Sequence, residues 1–180
     1  MQIAQRKRKE NIAEYILYMW QIEDLIRACK ADMNQIRTQL VSRYGGDEDQ
    51  KKEIEAWYEN LAVMMAKENK LEKGHLQVFA NLVNELFDFH LALLKSGKAP
   101  SYGVQYQSVD PIIQDVISKS GEQKPNPIEA CLNGIYGVLL LRMQKKEVSA
   151  STLQGVQEMS KLLAMLSESY KAYEANELEL

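Results

Sequence analysis

Apolar residues at Ile12, Tyr15, Met19, Ile22, Ile26, Cys29, Met33, Ile36 and Leu40 recur in alternating steps of three and four, which lays one stripe along a helix. A helix running from Ile12 to Leu40 is about 43 Å long at the standard rise, long enough to be the spine of a bundle. Between Tyr15 and Trp20 every residue is apolar or aromatic, so that portion has no solvent face and is predicted to be central. Gly45 and Gly46 supply the freedom to end this first helix, and Asp47, Glu48 and Asp49 place negative charge where a second begins. Its buried face is marked by Ile54, Trp57, Tyr58, Leu61, Met64 and Met65, and it stops near Lys70 to Gly74. A third helix follows with Leu76, Phe79, Leu82, Val83, Leu86, Phe89, Leu93 and Leu94 at helical spacing, ending before Ser96 and Gly97.

The second half is more interrupted. Residues 96–110, rich in Gly, Ser and Tyr, read as a loop and as the boundary between two possible halves, 1–97 and 98–180. Asp110 before Pro111 reads as an N-cap opening a short helix through Ile117; alternatively that helix begins near Val104 and is kinked by Pro111. After a polar connection over 121–127, Asn126, Pro127 and Glu129 mark the start of a fifth helix. This helix is apolar on almost every side, from Ile128 to Leu141, with Gly134 and Gly137 pointing to close helix packing. A sixth follows the Ser/Thr-rich start at 149–152 and runs through Tyr173, with an acidic tail after Asn176. The reading is therefore all-α: a single helical domain over 1–180, a bundle of about six helices around a long central first helix.

Composition narrows the class. The chain has 180 residues, 46% hydrophobic and 26% charged, with nine glycines and four prolines, as expected for one packed domain. A net charge of −3, from 22 basic and 25 acidic residues, gives no bulk field toward nucleic acid or anionic lipid. Glu14, Glu23 and Asp24 interrupt the only apolar stretch near the N-terminus, so neither a signal-peptide core nor a membrane span is expected. Cys29 and Cys131 are isolated in sequence and suit a reducing compartment, taken as the cytoplasm.

Few residues suggest chemistry. Glu72 and His75 have the Glu-x-x-His spacing of di-iron bundles, but that site needs the motif twice and the chain has two histidines, His75 and His90. No metal or other cofactor is expected, and each histidine is placed at the edge of the third helix's apolar face with a hydrogen-bond partner. Glu14, Glu23 and Asp24 are the acids nearest the most apolar part of the first helix, and with His90 they are the candidate catalytic groups. Against that, Glu23 and Asp24 both have helix-surface spacing to Arg27 and form ordinary ion pairs there. Tyr18, Trp20, Tyr102 and Tyr106 are the candidate pocket aromatics, the last two in the expected loop. Seven of the eight methionines, all but Met1, line an adaptable groove or fill the core. The basic run Arg6, Lys7, Arg8 and Lys9 is a nucleic-acid candidate set against a solvated helix end.

Three stretches, IAQRKRKENIAEYILYMWQIEDLIRA at 3–28, EKGHLQ at 72–77 and YGVLLLRMQKKEVS at 136–149, resemble an uncharacterised bacterial all-helical family. It is a domain of unknown function of about this length, associated with anaerobic gut commensals. The resemblance implies an all-helical single-domain protein and no assigned activity, and it brings no catalytic or binding residue with it.

The functional expectation rests on packing surface. A long apolar stripe and helices without a polar face predict a non-enzymatic interaction or regulatory module, with itself or another protein as partner. The alternative is a small-molecule binder or enzyme with a pocket between helices. Nucleic-acid contact through the basic N-terminus ranks third.

Overall fold

The computed structural model describes residues 1–122 and 124–180. Among these the chain is all-helical, with α1 (Gln2–Glu10), α2 (Ile12–Ala28), α3 (Met33–Gln39), α4 (Glu48–Lys67), α5 (Gln77–Ser96), α6 (Pro100–Lys119), α7 (Pro127–Met143) and α8 (Ala150–Glu174). A single 3₁₀ turn, Val41–Arg43, lies between α3 and α4. Of the polar connection expected over 121–127, residue 123 lies outside the described residues.

Two expectations are corrected. The single helix over 12–40 is divided, because Lys30 and Ala31 adopt left-handed backbone angles (φ 52° and 53°) after α2. Asp32 then restarts the chain, its side chain accepting the Asn34 N–H at 2.8 Å as the N-cap of α3. The apolar stripe survives the break, since Ile26, Cys29, Ile36 and Leu40 are all buried in one core. This division, together with α1 ahead of Asn11, raises the described helix count from about six to eight.

The segment expected as a loop is helical instead. Pro100 takes the first turn of α6, where its missing N–H costs nothing, and Tyr102, Gln105, Val109 and Ile113 form its buried face at steps of three and four. Asp110 is thus not a cap; it lies inside α6 and accepts a bond from Gln114 Nε2 at 3.0 Å. Pro111 is inside the helix on an exposed position.

Cα packing divides the chain into two units, residues 1–8 with 14–81 and residues 9–13 with 82–180. The first has a core built from α2, α3, α4 and the start of α5, including Met19, Ile22, Ile26, Tyr58, Met65 and Leu76. Its α4 opens with a capping box: Asp47 accepts the Gln50 N–H at 2.9 Å and Gln50 Oε1 accepts the Asp47 N–H at 3.1 Å. In the second unit α6, α7 and α8 pack against one another. Small residues allow this: a Cβ on Gly155 of α8 would lie 3.2 Å from Ile112 Cγ2 of α6, and one on Gly134 of α7 only 2.9 Å from Met159 Cε of α8. Residues 9–13 contribute buried Ile12 and Ala13, and the Ala13 N–H donates to buried Ser167 Oγ at 3.3 Å.

The break between α2 and α3 rests on Asp32. Replacing it, Asp32→Ala, is expected to lower the free energy of unfolding by about 1 kcal/mol in urea titration, whereas Asp32→Ser keeps most of it. Equal loss in both variants contradicts the capping role.

Candidate functional site

A buried carboxyl group enters the first unit's core at the connection between α4 and α5. Leu76 precedes α5, and its carbonyl accepts the first helical bonds from Phe79 (2.9 Å) and Ala80 (3.1 Å). A leucine has no oxygen to offer the free N–H groups of a helix start. The acceptors come from elsewhere: Glu23 Oε1 accepts the Leu76 N–H at 2.8 Å and Glu68 Oε2 accepts the Gln77 N–H at 2.7 Å. Both bring negative charge to the positive end of α5.

Glu23 is completely buried, 0% exposed, so its charge requires compensation. Its second oxygen lies 2.5 Å from His75 Nδ1. The imidazole stacks on Trp20, with ring centroids 4.2 Å apart and planes at 14°, which fixes the ring while leaving it about one-third exposed (side chain 30%). Arg27 closes the same connection from below: Nε donates to the Lys70 carbonyl at 3.1 Å, Nη2 donates to the Gly74 carbonyl, and Nη1 pairs with Asp24 at 2.6 Å. Trp20, Glu23, Asp24 and Arg27 are one face of α2 at steps of three, one and three, and together they hold residues 70–76.

This corrects the surface reading of Glu23. Asp24 does pair with Arg27, but Glu23 points into the core toward partners more than 50 residues away. His75 likewise precedes α5 and is not on its apolar face. Glu14 is exposed and bonds Lys7 at 3.0 Å, which engages one member of the basic run. Arg6, Lys7 and Arg8 lie on α1 in the first unit, whereas Lys9 belongs to the second.

The pocket aromatics separate in the same way. Tyr18 is half-buried, its hydroxyl donates to Met1 Sδ at 3.7 Å, and burial with the neighbouring Tyr44 hydroxyl raises its pKa. Tyr44 in turn bonds the fully buried Tyr58 at 3.0 Å, and burial likewise raises the Tyr58 phenol. Nothing in the spacing of the sequence singles out this group of tyrosines. Tyr102 and Tyr106 are in the second unit on α6, not in a loop. Tyr102, 1% exposed, shares a 2.5 Å hydrogen bond with Nδ1 of equally buried His90, and Tyr106 meets the imidazole edge-on at 4.6 Å.

Burial pushes the His90 pKa down from 6.5 to about 4. The imidazole is therefore neutral at neutral pH and acts as a hydrogen-bonding core group. Both cysteines are buried and unbridged, and burial drives the Cys131 thiol up to about 12, far from a nucleophile's range. Among the described residues no group of three or more His, Cys, Asp and Glu side chains is placed to hold a metal ion. No described helix is long and apolar enough to cross a membrane.

The architecture is that of an all-helical protein whose buried polar groups join helices to one another. The chain belongs to a family described as a domain of unknown function, DUF4924, whose family model matches residues 1–177. No curated protein and no solved structure matches it. The family has no assigned activity, so the side chains are the only guide to function.

Two measurements test these assignments. Glu23→Ala, which leaves the Leu76 N–H and His75 without their acceptor, is expected to cost about 3 kcal/mol of stability, and Glu23→Gln about 1 kcal/mol because it restores an acceptor. Equal, small losses in urea titration contradict the capping role. For His90, the folded pKa of about 4 lies below the ordinary 6.5, so the unfolded chain takes up the proton first. Its contribution is complete above pH 6.5 and lost as the pH falls toward 4, by about 3 kcal/mol in all. His90→Gln should remove that part of the acid dependence, and identical pH profiles for the two proteins contradict it.

Proposed function

We propose that this chain is a non-enzymatic helical interaction module that associates with a second copy of itself. One observation supports the reading above others. Helix α7 is apolar on almost every side, yet Ile135, Leu139 and Met143, at steps of four on one face, are only partly covered, and Met143 is 64% exposed. Adjacent Leu140 and Leu141 are also half-buried. An apolar stripe that widens toward solvent along a helix is the pattern completed by another helix. A second copy supplies the same stripe to itself across a two-fold axis.

The fate of the candidate catalytic groups agrees with this choice. Glu23 and His75 hold the start of α5, Asp24 holds Arg27, Glu14 holds Lys7, and His90 holds Tyr102. Each already has a partner within the fold. Two buried thiols without a bridge fit a reducing compartment, and we assign the protein to the cytoplasm on that ground.

Sedimentation over a range of concentrations tests the proposal. The expected result is a dimer that Leu139→Lys with Met143→Lys converts to a monomer, with little change in thermal midpoint because both positions are partly or largely exposed. A monomer at every concentration overturns it, as does a dimer untouched by the two lysines.

A further inference from the structure

Independently of self-association, the turn before α5 leaves one reactive nitrogen over once its backbone is satisfied. Nδ1 of His75 is taken up by Glu23 Oε2 at 2.5 Å, and the ring lies flat against Trp20, with planes at 14°. Nε2, on the far side of the ring, has no hydrogen-bond partner among the described residues and is not enclosed, so it faces solvent. The cap of α5 uses Glu23 and Glu68 and makes no use of this atom.

Glu23 also decides which nitrogen has the lone pair. Its Oε1 already accepts the Leu76 N–H, and a carboxylate Oε2 can only accept as well. The neutral imidazole therefore holds its proton on Nδ1 and presents an electron pair at Nε2. A carboxylate behind a histidine ring strengthens the outer nitrogen as an electron-pair donor and stabilises the imidazolium that forms when that nitrogen takes a new bond. The stack on Trp20 holds the ring in this direction. Positive charge lies close by: the ammonium of half-buried Lys70 folds over Gly74, 3.5 Å from where a Cβ on that glycine would stand, and among the described residues no carboxylate pairs with it.

We propose that Nε2 of His75 is a phosphoryl acceptor, a modification site served by a phosphoramidate donor. The Nε2 lone pair attacks phosphorus, and the new N–P bond forms as the P–N bond of the donor breaks. That electron pair leaves on the donor's already protonated nitrogen. The Nδ1 proton stays on the ring, so the positive charge gained by the imidazole meets the Glu23 carboxylate already in place, and Lys70 offsets the charge of the phosphoryl oxygens. An acyl group on the same nitrogen brings no anion and makes no use of Lys70. A metal ion is a poorer match, since it needs three or four ligands and no group of three His, Cys, Asp or Glu side chains is gathered among the described residues. The other histidine, His90, is 1% exposed and closed to a donor.

Incubation of the folded full chain with phosphoramidate, read by intact mass and phosphorus NMR, is the test. One phosphoryl group is expected on Nε2 of His75, stable in base and lost in mild acid. It should form about tenfold faster than on a peptide of residues 72–77, which has the same histidine without Glu23. Glu23→Gln keeps an oxygen for the Leu76 N–H but turns an amide N–H toward Nδ1, which moves the ring proton to Nε2 and removes the lone pair there. Its rate should fall to that of the peptide, and His75→Gln should give no adduct. Equal rates for the chain and the peptide overturn the proposal, as does an unaltered rate in folded Glu23→Gln or a first adduct at any residue other than His75. The peptide comparison uses the unaltered chain, so it decides the question even where Glu23→Gln lowers stability.

Discussion

A single buried carboxylate decides where α5 begins. The chain places a leucine at the position where a helix wants an oxygen, and it does so because that side chain belongs in the core of the first unit. Helix start and hydrophobic burial therefore compete for one residue. Glu23 resolves the conflict by delivering the missing acceptor from α2, and it is itself tolerable in the core because a backbone N–H and an imidazole satisfy both oxygens. The stack of His75 on Trp20 and the three-way grip of Arg27 follow from the same requirement, since the connection must be held still for the acceptor to meet its donor.

The second unit handles buried polarity differently. His90 is kept neutral by desolvation and shares one short bond with a phenol, so no ion needs to be balanced there. Ser167 is likewise a neutral hydroxyl used to satisfy a backbone N–H. Charge is left instead at the edges, where Glu85 and Asp88 border an open cleft between α5 and α8. One unit thus has a buried carboxyl group inside a locked connection, and the other has Glu85 and Asp88 facing solvent.

Much of the fold was legible in local pattern. The stripe from Ile12 to Leu40 marks buried residues at all but Tyr15 and Met33, which are partly buried, even though the helix beneath it is interrupted. The interruption was hard to see because Cys29, Lys30 and Ala31 contain neither glycine nor proline, and only Asp32 had the chemistry of a helix start. The opposite error occurred over 96–110, where glycine, serine and tyrosine suggested a loop, while Tyr102, Gln105, Val109 and Ile113 already had helical spacing. Glu23 was legible as an acid in an apolar setting. Its role was not, because the competing partner Arg27 is four residues away in sequence and the actual one, His75, is 52. The cleft between α5 and α8 depends on residues some 80 positions apart, and no spacing rule joins them.

The bond between Ala13 and Ser167 spans 154 residues and has a consequence for how the protein is made. During synthesis the chain emerges from the ribosome N-terminus first, so residues 14–81 can assemble while the seat for Ile12 and Ala13 does not yet exist. That short apolar strap must wait, exposed, until α8 has been translated. Interrupted translation before Ser167 therefore leaves a product whose first unit can be complete but whose strap has no seat. Such a fragment lacks the Ser167 acceptor for the Ala13 N–H.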